Sequence, residues 1–396
     1  MWVGGGPEFE LLLKICFSAA GDDDADCHGL DWTRVMALSR KHRIDGLVVD
    51  WLIKREPGGV PKDVLAAFTT SRREQSLAYL LRAAETLALS QALERRGLPC
   101  LVLKGCAVAE TLFAPDPARR NSIDIDILVA PEHFRAAETI LVENNYVLHS
   151  PRAGVPESAR SMGMHLSNAF AYFNADKQIA VELHHRLLAN PYKMAIPFAE
   201  LLARSDRLRL GGGEVRVLGA SDNAVFLCCH GTTHAYARLK WLADISRLFA
   251  SASAAALEEM RTRARALDCD RDVVWSAGLL QFMTGASPLA LTPAEASGAA
   301  RFVSHARRLM LSEEPPDSAR FAVSDAPAFV REMLFLCRFA ENGKSLGFHL
   351  LTRVCNLNDL PVLRLGAKWW WLYALVGPPS ALTRILGRQI AKPEKS

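Results

Sequence analysis

The sequence predicts an α+β protein in which a core with a mixed sheet is flanked by N-terminal and C-terminal helical regions. Three observations predict it. Up to about residue 97 apolar residues recur at helical spacing; from residue 98 short apolar runs alternate with helical segments; after about residue 195 the pattern is again mostly helical. The expected regions are therefore 1–97, 98–195 and 196–396.

The first region holds DWTRVMALSRKHRIDGLVVDWL, which reads as two short helices or one broken near Asp45-Gly46. Next, Leu77, Leu80, Leu81, Ala84, Leu87 and Ala88 repeat at three and four on a helix that stops at Gly97, after Arg95 and Arg96. The second region reads LPCLVLK as a strand, GCAVAETLF as a helix, IDIDILV as a strand and PEHFRAAETILVENN as a helix opened by Pro131. HLSNAFAYF and QIAVELHH are two further strands. In the third region RLRLGGGEVRVLG is a strand pair around a glycine turn, without the Lys-Ser or Lys-Thr of a phosphate loop. The segment DNAVFLCCHGTTHAYARLKWLADISRLFA reads as helix, with Phe226, His230, Ala237, Trp241 and Ile245 on one face.

The chain has 396 residues, 50% of them hydrophobic, which suffices for a substantial core. Its net charge of +4 is small and its basic residues are scattered, so composition gives no strong nucleic-acid signal. Nine cysteines show neither a C-x-x-C pair nor a disulfide framework and lie mostly in apolar runs, as reduced core thiols of a cytoplasmic protein do. The opening MWVGGGPEFELLLKICF lacks the basic segment and cleavage site of a secretory signal, and WWWLYALV at 369–376 is far shorter than the roughly 20 residues a spanning helix needs. No transmembrane segment is expected.

The chemistry centres on NSIDIDILV at 121–129. Alternation along a strand puts Asp124 and Asp126 on one face and Ile123, Ile125 and Ile127 on the other. Two carboxylates in an apolar run repel each other and call for a cation. Glu182, in QIAVELHH, completes a three-carboxylate cluster if its strand lies beside the first. Hard divalent ions take such oxygen ligands, so Mg²⁺ is the expected cation, and two ions about 4 Å apart serve in-line displacement at phosphorus. By itself D-x-D is a short motif that surface strands also carry by chance.

LKGCAVAETLF, RRNSIDIDILV, the following amphipathic helix and VELHHRL together resemble the nucleotidyltransferase superfamily with a polymerase-beta-like core. The pattern is similar to that of an uncharacterised bacterial family with a Lys-Gly turn, an arginine upstream of D-x-D and a downstream E-x-H-W-like strand, members of which are associated with lasso peptide clusters. The resemblance spans about 98–190, and more weakly H-x-x-x-H and W-L-x-D-I in the 230–245 segment. It implies that Asp124 and Asp126 are ligands of both metals and that Glu182 is the third acid, which helps the acceptor hydroxyl lose its proton. It also implies that Gly105 sits where a helix N-terminus meets nucleotide phosphates, and that Lys104, Arg120, Ser122 and Lys240 are nucleotide-binding candidates. His184, His230, His234 and Asp244 are expected along the cleft. Two departures stand out: Cys106 follows Gly105 where many relatives have Gly or Ser, and His185 stands where relatives often have Trp.

Other constellations read more plainly. His230 and His234 are four apart but lack the intervening glutamate of H-E-x-x-H, so they are expected to pack, cap or line the cleft rather than bind zinc. Arg261, Arg263 and Arg265 are expected on a solvated helix surface, and the Trp369 to Trp371 run on a C-terminal helix docked to the core or to another subunit. The expected activity is Mg²⁺-dependent transfer of an NMP from a nucleoside triphosphate to a hydroxyl of a peptide, a protein or a small molecule, with pyrophosphate released. Two rival readings are a kinase that transfers the γ-phosphate, and a catalytically silent nucleotide-binding or partner-docking protein.

Overall fold

A computed structural model describes residues 5–17, 27–151, 157–312 and 343–354. The Trp369 to Trp371 run lies outside them. The chain divides into two compact units: the first comprises residues 1–96, 100–126 and 199–316, the second residues 97–99, 127–198 and 317–396.

The first unit opens with α1 (Gly6–Phe17), α2 (Trp32–His42) and α3 (Asp45–Arg55). The break expected near Asp45-Gly46 falls just ahead of it, at Arg43, whose φ of 54° ends α2 in a left-handed cap. Gly46 is required where it stands, because a Cβ there would lie 2.5 Å from the Arg119 carbonyl oxygen. The long helix α4 (Lys62–Arg95) contains the expected leucine stripe, but the stripe is not its core face. Leu77, Leu80 and Leu81 are exposed, Leu80 by 62%, while Val64, Phe68, Tyr79, Ala83, Leu89 and Leu93 turn inward. Two apolar sets at helical spacing compete on this helix, and packing selects the one beginning at Val64.

Strand β1 (Cys100–Val102) leads into α5 (Cys106–Phe113), and after a 3-10 turn at Pro117–Arg119 comes β2 (Asp124–Val129). The first three residues of β2 belong to the first unit and the rest to the second. The second unit adds α6 (Phe134–Glu143), β3 (Val147–Ser150), α7 (Glu157–Leu166), β4 (Ala169–Asn174) and β5 (Ile179–His184). Its strands run in the order β3-β4-β5-β2, antiparallel from β3 to β5, with Ala171 opposite Glu182 and Ala169 opposite His184. Phe134 meets Phe170 edge-on in its core, and Glu138 accepts hydrogen bonds from Arg160 and from the Tyr172 hydroxyl. Neither β3 nor α7 was marked by the sequence.

Beyond α8 (Phe198–Ala203), the glycine-centred pair forms β6 (Asp206–Leu210) and β7 (Gly213–Val217), an antiparallel hairpin as expected. In the first unit the order is β2-β1-β7-β6, because β7 pairs parallel to β1 at Val102 and Val217. Strands are therefore both parallel and antiparallel, and the fold is the expected mixed α+β. The core between this hairpin and α4 and α5 gathers Tyr79, Ala83, Val102, Ala107, Ala109, Leu210 and Val215.

The segment read as one helix from Asp222 onward is two: α9 (Ala220–Thr233) and α10 (Leu239–Ser251). Ala235 and Tyr236 both take φ of 47°, and the Tyr236 N–H donates to the Gly231 carbonyl at 2.8 Å. Gly231 permits the reversal, since a Cβ there would lie 2.3 Å from the Tyr236 ring. Helices α11 (Ala254–Ala266), α12 (Asp270–Thr284) and α13 (Pro293–Leu311) complete the described part of this unit, and α14 (Gly343–Val354) belongs to the second.

Of the arginines expected on a solvated face of α11, Arg265 is exposed as expected, with 53% of its side chain accessible, but Arg261 and Arg263 are not. Arg261 pairs with Asp270 and Glu295, and Arg263 bridges Asp222 and Glu200 at 2.7 Å each. Carboxylates distant in sequence converge on α11, which spacing along one helix does not reveal. The seven described cysteines are buried, and among the described residues no helix is long and apolar enough to cross a membrane.

Candidate active site

The site grows from the turn between β1 and α5. The Leu103 N–H donates to the Asp126 carbonyl at 3.1 Å, which sets the end of β1 against the D-x-D strand. The chain then turns at Gly105, with φ of 58° and ψ of −119°, a conformation open to glycine. A Cβ at Gly105 would lie 3.2 Å from both the Asp124 carbonyl oxygen and the Ser122 hydroxyl. Glycine thus lets the N-terminus of α5 approach the D-x-D strand closely. Buried Ser122 ties that strand's entry by donating to the Asp124 carbonyl at 3.2 Å.

Asp124 is half-buried, whereas Asp126 is 1% exposed. The sequence predicts Mg²⁺ as the compensating cation; the structure shows that the same turn also carries one of its own, with Lys104 Nζ 2.9 Å from Asp126 Oδ1. A buried carboxylate is strongly disfavoured unless paired, and Lys104 supplies the pairing. Ile125 and Ile127 are buried as expected, but Ile123 is 50% exposed, because the strand begins at Asp124 and Ile123 precedes the sheet.

Arg120 takes a fully buried position behind this turn. Its Nε and Nη2 donate to the two Asp244 oxygens at 2.8 Å each, and its Nη1 donates to the Gly105 carbonyl at 3.2 Å. Burial works against its charge, but Asp244 first, then Asp124 and Asp126, outweigh that and raise its pKa. The guanidinium therefore remains charged and joins three segments: the 3-10 turn, the Lys-Gly turn and α10.

Helix α10 carries Lys240, Trp241 and Asp244 into the same unit. Its first N–H, from Leu239, donates to His42 Nδ1 at 3.3 Å, and burial lowers the His42 pKa to about 3, so His42 serves as a neutral cap. Lys240 is buried, and its pKa is pushed down to about 7 by burial first and by repulsion from Arg120 and Arg43, against attraction from Asp124 and Asp244. Because α9 and α10 reverse at Tyr236, Trp241 stacks on His234 with ring centres 4.8 Å apart and meets His230 edge-on at 5.8 Å. His230 is held well below the ordinary histidine pKa by burial and then by Lys104 and His234, so its ring is neutral near Lys104 and Asp126.

Ten of the twelve candidates thus fall in the first unit, connected by these bonds, rings and charges. Glu182 and His184 belong to the second. There Glu182 has 38% of its side chain exposed, and His184 Nε2 lies 3.4 Å from Glu182 Oε2. His184 Nδ1 is 3.1 Å from the Asn168 amide nitrogen, which fixes the imidazole between Asn168 and Glu182.

Sequence reasoning missed Arg82, Arg43 and His42. Arg82, on α4, is close enough to Asp124 for the carboxylate to favour its charge, although burial lowers its pKa. No local pattern marks these residues, since each acts on positions far along the chain. Asp124 and Asp126 supply carboxylate oxygens two residues apart, and the Lys104 contact places positive charge at Asp126. Hard oxygen donors of this kind are the type that fits a magnesium ion.

No match to a curated protein was found. Residues 28–285, which contain the Lys-Gly turn, the D-x-D strand, Glu182 and α10, match the family described as uncharacterised nucleotidyltransferase. Matched over more than half its length, the chain belongs to this nucleotidyltransferase family.

Proposed function

We propose that the protein transfers an NMP from a nucleoside triphosphate to an acceptor hydroxyl, with Mg²⁺ bound by Asp124 and Asp126 and pyrophosphate released. The observation that carries this reading is the seating of the D-x-D strand against the Lys104-Gly105 turn and the N-terminus of α5. That N-terminus presents backbone N–H groups to anions, and Lys104 adds a charge beside it. Gly105 lets phosphate oxygens approach the backbone without a side chain in the way.

Glu182 is the third acid of this reading, on the resemblance of its strand, with His184 as its positioning partner. Bound magnesium supplies a lowered pKa for the acceptor hydroxyl and compensation for charge on the leaving oxygen. Lys104 and Lys240 steady the triphosphate. Arg120, with donors already given to Asp244 and Gly105, shapes the turn that receives it, while Ser122 holds the strand entry. Catalysis then rests on positioning and charge stabilisation. The acceptor is a hydroxyl of a peptide, protein or small molecule, and the setting is cytoplasmic, in keeping with buried cysteines.

ATP labelled at the α or the γ phosphate, incubated with Mg²⁺ and candidate acceptors, tests the reading. Label should reach the acceptor from the α position. Transfer of γ label alone identifies a kinase and sinks the proposal. Unlabelled acceptor under both conditions, with Asp124→Ala plus Asp126→Ala leaving cellular function intact, favours a silent binding protein instead.

A further inference from the structure

We infer that Lys104 is a built-in stand-in for the metal: it neutralises Asp126 before metal arrives and is exchanged onto phosphate when metal and nucleotide bind together. This rests on the metal-dependent reading above and deepens it. Three features carry the inference.

The first is the pair itself. Asp126 is 1% exposed and the Lys104 side chain 15%, so the 2.9 Å contact is shielded from solvent and is not a loose surface bridge. The second is that the neighbouring fixed cation is otherwise committed. Arg120 gives two N–H groups to Asp244 and a third to the Gly105 carbonyl, so all three nitrogens of its planar fork are engaged. Lys104 differs in kind: a compact ammonium on a flexible four-carbon stem can change partners without moving the backbone. The third is its place in the chain, directly before Gly105 and the N-terminus of α5, where an arriving phosphate would be received.

The consequence is thermodynamic coupling. A divalent ion that takes Asp126 by itself must displace the ammonium and then sits close to a positive charge left without its carboxylate. A triphosphate gives that ammonium a new anion. Each ligand therefore favours the other, and the coupling is reciprocal. Before either ligand binds, the buried carboxylate needs no metal to stay compensated.

The test measures Mn²⁺ binding by electron paramagnetic resonance, with and without a nonhydrolysable α,β-methylene nucleoside triphosphate. In the wild-type protein the nucleotide should tighten Mn²⁺ binding at the protein site by about tenfold, within the common range of coupling. Lys104→Met should bind Mn²⁺ about tenfold more tightly than wild type without nucleotide and lose most of the nucleotide effect. Equal or weaker Mn²⁺ binding by Lys104→Met overturns the exchange. Should that variant fail to fold, the wild type decides: acetylation of Lys104, followed by peptide mass spectrometry, should accelerate on adding Mn²⁺, while that of exposed Lys62 stays constant. An unchanged Lys104 rate overturns the inference. Asp124→Asn with Asp126→Asn separates the two levels, since Mn²⁺ binding that survives this double change removes the metal site of the proposed function itself.

Discussion

The Arg120 guanidinium and the Asp244 carboxylate face each other through two hydrogen bonds of 2.8 Å, across 124 residues of sequence and shielded from solvent. The same guanidinium holds the Gly105 carbonyl. One buried pair therefore fixes α10 relative to the Lys-Gly turn. Removal of either partner leaves a buried charge uncompensated, so Asp244→Ala should lower the unfolding free energy by about 3–5 kcal/mol in urea titration. A loss below about 1 kcal/mol would show the pair to be dispensable.

Gly105→Ala should impair the site without dismantling the fold. An alanine must adopt the φ of 58° and ψ of −119°, and its Cβ would press on the Asp124 carbonyl and Ser122 hydroxyl at 3.2 Å. Strain of about 1–3 kcal/mol is expected, with a larger effect on the KM for nucleotide than a distant Gly298→Ala produces. Unchanged stability and KM would mean that the turn relaxes freely.

The D-x-D pair should be required for chemistry more than for folding. Asp124→Asn keeps the shape of a half-buried side chain and should reduce nucleotidyl transfer at least about 100-fold, the scale expected when transition-state charge stabilisation is lost. Circular dichroism should report a native fold. A residual rate above about one tenth of wild type would remove Asp124 from the catalytic set.

Lys240 gives a pH signature. Its pKa falls to about 7 in the folded chain from an ordinary value of 10.5 when unfolded. Between these values the unfolded state binds the extra proton, so this residue makes stability rise with pH, by up to about 1.4 kcal/mol per pH unit. Below about pH 7 both states are protonated and the slope from Lys240 vanishes. Lys240→Met should accordingly exceed wild type in stability most at about pH 6 to 7, with the gap closing toward about pH 9. A pH-independent gap, measured by urea unfolding, would contradict the depressed pKa.

Gly231→Ala should strike the reversal between α9 and α10. Its Cβ would meet the Tyr236 ring at 2.3 Å, and overpacking of this kind typically costs about 1–3 kcal/mol. The Trp241 stack on His234 depends on that reversal, so histidine NMR resonances should shift as well. Unmoved resonances would separate the turn from the stack.

The local grammar of the chain determined much of this protein. Alternation in NSIDIDILV, the Lys-Gly turn before a short helix, the glycine hairpin at 211–213 and the V-E-L-H-H strand are properties of a few adjacent residues, and each became the element expected. Side-chain spacing of two on a strand also put Asp124 and Asp126 on a common face before any contact was known. What tertiary structure decided was partnership. It chose the face of α4 that is buried, paired β7 with β1, broke the helix at Tyr236, and gave the arginines of α11 their carboxylates. Above all it joined Lys104 to Asp126 and Arg120 to Asp244. Backbone geometry repeats over two to four residues and so is written locally, whereas compensation of a buried charge depends on whatever the fold brings within about 3 Å, which sequence spacing does not encode.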